Sequence, residues 1–145
     1  MKTYHAVIDT NVIVAALLTT NQQSATVKVV DALLKGIVKP LYNEEILAEY
    51  DDVLRRAKFH FTPATIDYLI NEIRQRGINA ERVNSDEYFP DPKDVVFYEV
   101  ALSKDDAYLV TGNVKHFPHT TIVVTPTEMM AILAADDEED PTIKG

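Results

Sequence analysis

Asp9 ends the apolar run Thr3 to Ile8, and Asn113 follows Tyr108 to Thr111 after Gly112. Asp91 and Asp94 flank Pro92-Lys93 at the head of an apolar stretch (Val95, Val96, Phe97, Tyr98, Val100, Ala101, Leu102). Glu49 borders the stripe Ile46, Leu47, Tyr50, Val53, Leu54 and Ala57, three residues after Ile46 and four before Val53. Each position also has an ordinary structural use. Asp9 or Thr10 can cap a helix, Asp91 can cap one ahead of Pro92, and Asp94 suits the positive end of a helix dipole. Glu49 can snorkel to water from the edge of a buried face. Gly112-Asn113 is a turn signal. Together they are four carboxylates and an amide oxygen, a donor set suited to a hard divalent cation, Mg2+ or Mn2+. An acid on an otherwise buried helix, as Asp94 is expected to be, is costly unless paired or bound to a cation.

Other chemistries have less support. The chain has no cysteine, which excludes a disulfide scaffold, thiolate zinc sites and a cysteine nucleophile. His5, His60, His116 and His119 show no zinc-type spacing, and Pro118 disfavours a shared helix face for the last two. No Gly-rich phosphate loop is present. A net charge of −9, from 14 basic and 23 acidic residues, argues against non-specific coating of nucleic acid. No run of about 18 apolar residues exists, so no membrane span is expected. Asp9 and Asn11 interrupt the N-terminal apolar run, which disfavours a signal peptide. The absence of cysteine fits a reducing, cytoplasmic location.

These side chains need elements to position them. A chain of 145 residues, 46% hydrophobic, is about one domain with one core. That domain is expected over residues 1–135. Residues 136–145, with Asp136-Asp137-Glu138-Glu139-Asp140, are expected to form a disordered acidic tail. Strands are expected at 3–8, 37–41, 79–83, 108–111 and 121–124. Helices are expected at 11–18, 25–35, 44–56, 63–76, 91–103 and from 126. Gly36 and Gly77 are the stops, Asn43 and Thr62 the caps, and Thr125-Pro126-Thr127-Glu128 a capping box. Alternating strands and helices imply parallel pairing with right-handed crossovers. The expected fold is a three-layer α/β/α sandwich around a parallel sheet of four or five strands. Ligands bind such sheets beyond the carboxyl ends of the strands, which is where Asp9 and Asn113 stand.

Val7-Ile8-Asp9-Thr10-Asn11-Val12 resembles the opening motif of PIN-domain ribonucleases. Glu49 within Ile46 to Tyr50, followed by Val53-Leu54-Arg55-Arg56, resembles the second motif. Asp91 to Ala101 and Ala107 to Asn113 resemble the third and fourth, in the right order over about residues 3–130. The toxin-type (VapC-like) group of bacterial toxin–antitoxin pairs is the most similar. The resemblance implies a Mg2+- or Mn2+-dependent endoribonuclease with Asp9, Glu49 and Asp94 as the catalytic acids. Asp91 becomes an auxiliary acid, and Thr10 and Thr111 orient carboxylates or water. Asn113 stands where many members carry a fourth aspartate; it keeps an oxygen but no charge. Hydrolysis is expected to leave 5′-phosphate and 3′-hydroxyl ends. Arg55, Arg56, Lys58, Arg74, Arg76, Lys104 and Lys115 are the candidates for RNA backbone contacts. The implied partners are RNA, a cognate antitoxin and a second copy of the chain.

Two rivals remain at this level. Asp9 followed by Asn11 faintly resembles haloacid-dehalogenase phosphatases, but Asn11 cannot titrate as their second aspartate does. A catalytically degenerate PIN domain could instead serve as a scaffold binding RNA or protein.

Overall fold

The first strand, β1 (Tyr4–Ile8), has Ala6, Val7 and Ile8 at 1% exposure or less. A strand buried on both faces needs helices above and below it, and that is the setting of a parallel sheet. The computed structural model describes residues 2–139. After β1 come α1 (Thr10–Leu18), α2 (Ala25–Leu34), β2 (Val38–Tyr42), α3 (Glu44–Leu54), α4 (Pro63–Arg76) and β3 (Ile78–Asn79). Then follow α5 (Val95–Ala101), β4 (Ala107–Val110), β5 (Val123–Val124) and α6 (Pro126–Glu139). The five strands are parallel, in the order β3-β2-β1-β4-β5, and six helices flank them. This is the expected α/β/α sandwich. On one side α2 and α4 pack on β2, and α6 packs on α2; α5 packs on β1, β2 and β4. The acidic tail expected from residue 136 lies only partly within view. Helix α6 continues to Glu139, and residues 140–145 lie outside the described ones.

The helix ends follow local chemistry. The Ile46 amide donates to Asn43 Oδ1 at 2.9 Å and the Thr65 amide to Thr62 Oγ1 at 3.2 Å. Thr125 and Glu128 exchange both bonds of a capping box, at 2.8 and 3.0 Å. Gly36 has φ +82°, the left-handed backbone that favours glycine after a helix. At Gly77 the reason is close approach: a Cβ there would collide with the carbonyl oxygens of Pro40 and Ile73. That contact seats the end of α4 against β2.

Two expected elements are shorter than expected, and one is subdivided. The strand expected at 79–83 stops at Asn79, because α5 takes over its backbone partners. The Val83 amide donates to the Glu99 carbonyl at 3.0 Å, and the Ser85 amide to Glu99 Oε2 at 2.8 Å. The last strand is only Val123–Val124. The helix expected from Asp91 begins as a tight turn, Pro92–Asp94, in which the Asp94 amide donates to the Asp91 carbonyl at 3.1 Å.

Glu99 anchors this region. It is buried, and Arg82 reaches it at 2.7 Å while also holding Glu45 at 2.8 Å. The pair ties the 80–90 segment to α5, the helix that begins beside Asp94. Arg82→Ala strands the Glu99 carboxylate with one amide partner. Unfolding in urea is expected to show a loss of about 2 kcal/mol, modest for a broken buried pair because Arg82 reaches water. A loss below about 0.5 kcal/mol would assign Glu99 no anchoring role.

Candidate active site

The carboxyl ends of β1 and β4 are neighbours, with Ile8 opposite Val110. The residues that follow each strand therefore meet. Thr111 donates its hydroxyl to Asp9 Oδ2 at 2.8 Å, and Asn11 donates its amide to the same oxygen at 3.2 Å. The Asn113 amide donates to Thr111 Oγ1 at 3.0 Å, and the Gly112 amide to Asn11 Oδ1 at 3.1 Å. The Asp9-Thr10-Asn11 and Thr111-Gly112-Asn113 segments thus clasp each other. Asp9 occupies the cap position of α1, yet its side chain makes no capping bond. The helix-cap reading of Asp9 fails for that reason: its carboxylate turns to β4 instead.

Tyr50, fully buried on α3, donates its hydroxyl to the Ile8 carbonyl. This bond brings α3 over the end of β1, and Glu49 with it. Asp91 does act as a cap, accepting the Lys93 amide at 3.0 Å. Its exposed carboxylate stands outside the cleft lining, although its field reaches Asp94.

Asp9, Glu49, Asp94 and Asn113 line one open cleft of about 400 Å³, with Thr10 and Asn11. Burial pushes the Asp9 carboxyl up, against hydrogen bonds from Thr111 and the Thr10 backbone that hold it down. Burial also raises Glu49, opposed by Lys93 and Arg56. Asp94 is pushed up to about 6, first by burial and then by the charges of Asp9 and Asp91. These acids feel one another as like charges. Asp94 Oδ2 is buried without a hydrogen-bond partner; His116 Nδ1 is 3.6 Å away, too far for one. Thr10 Oγ1 is a second buried oxygen without a partner.

Two unpartnered oxygens beside carboxylates that repel one another are a donor set that fits a hard cation. The fit is one of location and chemistry. Among the described residues, no three His, Asp or Glu side chains are grouped closely enough to hold a metal ion as they stand. Mutual repulsion opposes their closer approach.

The cations are placed less as expected. Of the seven basic candidates, Arg56 lines the cleft. Arg55 is held by Asp51 and Asp67 at 2.8 and 2.5 Å, Arg74 by Glu44 at 3.1 Å and Arg76 by Glu72 at 2.6 Å. Lys104 precedes β4 and so stands at the opposite, amino edge of the sheet, where a separate cavity of about 240 Å³ lies beside Asp105 and Asp106. Lys115 borders a hollow beside Phe117 and Val123. Lys58 lies over the Phe59 ring. Sequence reasoning missed Asn11 and Tyr50 as site-building residues, and it passed over His116 and Lys93. Asn11 was legible within the Asp-Thr-Asn segment; His116 carried no local signal.

A family model described as the PIN domain matches residues 5–115. No curated protein and no solved structure matched the chain.

The raised Asp94 carboxyl has a consequence for stability. Between about pH 4 and pH 6 the folded protein keeps a proton that the unfolded chain releases. Stability from this group is therefore lost as pH rises through that window. Asp94→Asn removes the titration. In chelator, its melting temperature is expected to match wild type near pH 4 and exceed it above pH 6. A constant difference across the range would contradict the assignment.

Proposed function

The chain belongs to the PIN domain family, a nuclease fold, and from that premise we propose that it is a metal-dependent endoribonuclease that hydrolyses RNA phosphodiester bonds. The observation carrying this reading is the pair of buried, unpartnered oxygens, Asp94 Oδ2 and Thr10 Oγ1, on residues that line the same cleft as Asp9 and Glu49. Asp9, Glu49 and Asp94 are the residues that would hold Mg2+ or Mn2+, with the Asn113 oxygen and the Asp91 charge as auxiliaries. When bound, such an ion supplies charge compensation at the scissile phosphate and a water of lowered pKa.

The chain's own residues do the positioning. Thr111 and Asn11 fix the Asp9 carboxylate by donating to its Oδ2. Tyr50 fixes α3, and through it Glu49. Arg56 supplies a cation for a backbone phosphate; its pairing with Asp52, at 3.2 Å, is solvent-exposed and weak enough to exchange. The further reading, a toxin-type enzyme with a cognate antitoxin and a homodimer, is supported by the likeness of the Asp9-Thr10-Asn11 and Val110-Thr111-Gly112-Asn113 segments to that group.

One observation favours the non-catalytic alternative, a degenerate scaffold: the acids do not close into a ligand group as they stand. Metal affinity and cleavage separate the two. Wild-type protein is expected to melt higher in millimolar Mn2+, and Asp94→Asn is not. Asp9→Asn is expected to keep its fold and lose about 100-fold or more of its cleavage rate, since even partners one shell from a metal cost about 10–100-fold. Undiminished cleavage by purified Asp9→Asn protein would sink the assignment. No Mn2+-dependent rise and no cleavage in wild type would support the scaffold.

A further inference from the structure

His116 is the last residue of the short turn Val114–His116, which follows Asn113 beyond the carboxyl end of β4. Its amide donates to the Asn113 carbonyl at 2.9 Å. The next residue, Phe117, is buried and meets Phe89 edge to face, with 6.1 Å between centroids and 88° between planes. Phe89 in turn packs on Tyr98 of α5 at 5.6 Å. This aromatic column ties the turn to the helix that begins beside Asp94, so packing sets where His116 stands relative to Asp94. The imidazole itself is half exposed, and its Nδ1 lies 3.6 Å from Asp94 Oδ2. That approach is too wide for a hydrogen bond, and the carboxylate oxygen stays without a partner. Adjacent donors on one divalent cation stand about 3 Å apart. A nitrogen and an orphaned oxygen that face each other unbonded, near that spacing, are arranged as two donors to one ion. The His116 field reaches Asp9 as well.

Mg2+ is small, takes oxygen donors and keeps several waters, whereas imidazole nitrogen suits transition-metal ions. We propose that His116 Nδ1 is a ligand of the divalent cation that Asp94 holds, and that this nitrogen makes the site prefer Mn2+ to Mg2+. The proposal rests on the metal-dependent reading above and names which of the two ions the site takes. A neutral imidazole also solves a problem of charge. Asp9, Glu49 and Asp94 already repel one another, and a further carboxylate would add to that repulsion. His116 and Asn113 both offer a donor atom that brings no negative charge.

The test titrates the full chain with Mn2+, counts the bound ion by electron paramagnetic resonance, and reads directly coordinated 14N by the pulsed form of the same method. Mg2+ is then added as the competitor. His116→Ala removes the ring, His116→Asp puts an oxygen donor in its place, and His119→Ala is the control for a neighbouring imidazole. We expect a 14N coupling in wild type and in His119→Ala that is absent from both His116 variants. His116→Ala is expected to bind Mn2+ about tenfold more weakly, with Mg2+ binding little changed, so that the preference narrows. His116→Asp is expected to recover affinity for both ions without recovering the preference. Bound Mn2+ with no 14N coupling, or Mn2+ affinity indifferent to His116→Ala, would overturn the ligand and leave the metal-dependent ribonuclease standing; it is the result expected if His116 only pairs with Asp94. A 14N coupling that depends on His116, in protein that cleaves no RNA with Mn2+, would keep the ligand and overturn the ribonuclease. No bound Mn2+ in wild type would overturn both.

Discussion

The parallel pairing of β1 with β4 is the constraint on which the site depends. These strands are separated by most of the chain, yet their register sets Ile8 against Val110. That single alignment delivers Asp9 to Thr111 and Asn11 to Gly112. A slip by one residue would turn Asp9 towards the opposite face. The hydrogen bonds at the strand ends are therefore as much a lock on register as a support for the carboxylate.

The rest of the acidic cleft is built by helices leaning over that edge. Tyr50 spends its hydroxyl on the Ile8 carbonyl, where the last ladder bonds of β1 run out. Glu49, one residue earlier, is carried to the cleft by the same contact. Asp94 arrives from the far side, at the start of α5, whose Val96 to Ala101 are buried. The acids are thus held by apolar packing and by neutral donors. Their own repulsion is left uncancelled, and Asp94 shows it most.

Much of this was legible in the sequence because the signals are local. Asn43, Thr62 and the Thr125–Glu128 box announce helix starts within four residues, and the structure makes those bonds. The order of apolar runs implies the sandwich, and the places of Asp9, Glu49, Asp94 and Asn113 after strands and on helix edges group them at one sheet edge, where they line a common cleft. What was not legible depends on distant pairs. Nothing near Glu99 says that Arg82 will meet it, and so nothing says that the strand after Gly77 will end at Asn79. The same holds for His116 beside Asp94. The basic residues misled for a related reason. Arg55, Arg74 and Arg76 read as free cations in sequence but find acids in the fold.

Both outer strands of the sheet are very short: β3 is Ile78–Asn79 and β5 is Val123–Val124. A strand of two residues presents few unpaired backbone groups at its outer side. Long exposed edges are what template growth of a sheet from one molecule into the next. Where β3 leaves Val38 to Pro40 of β2 without an outer partner strand, Lys39 and Pro40 stand on that margin, a charge and a residue with no amide hydrogen to donate. Short outer strands and a guarded margin disfavour self-association through continued β-ladders.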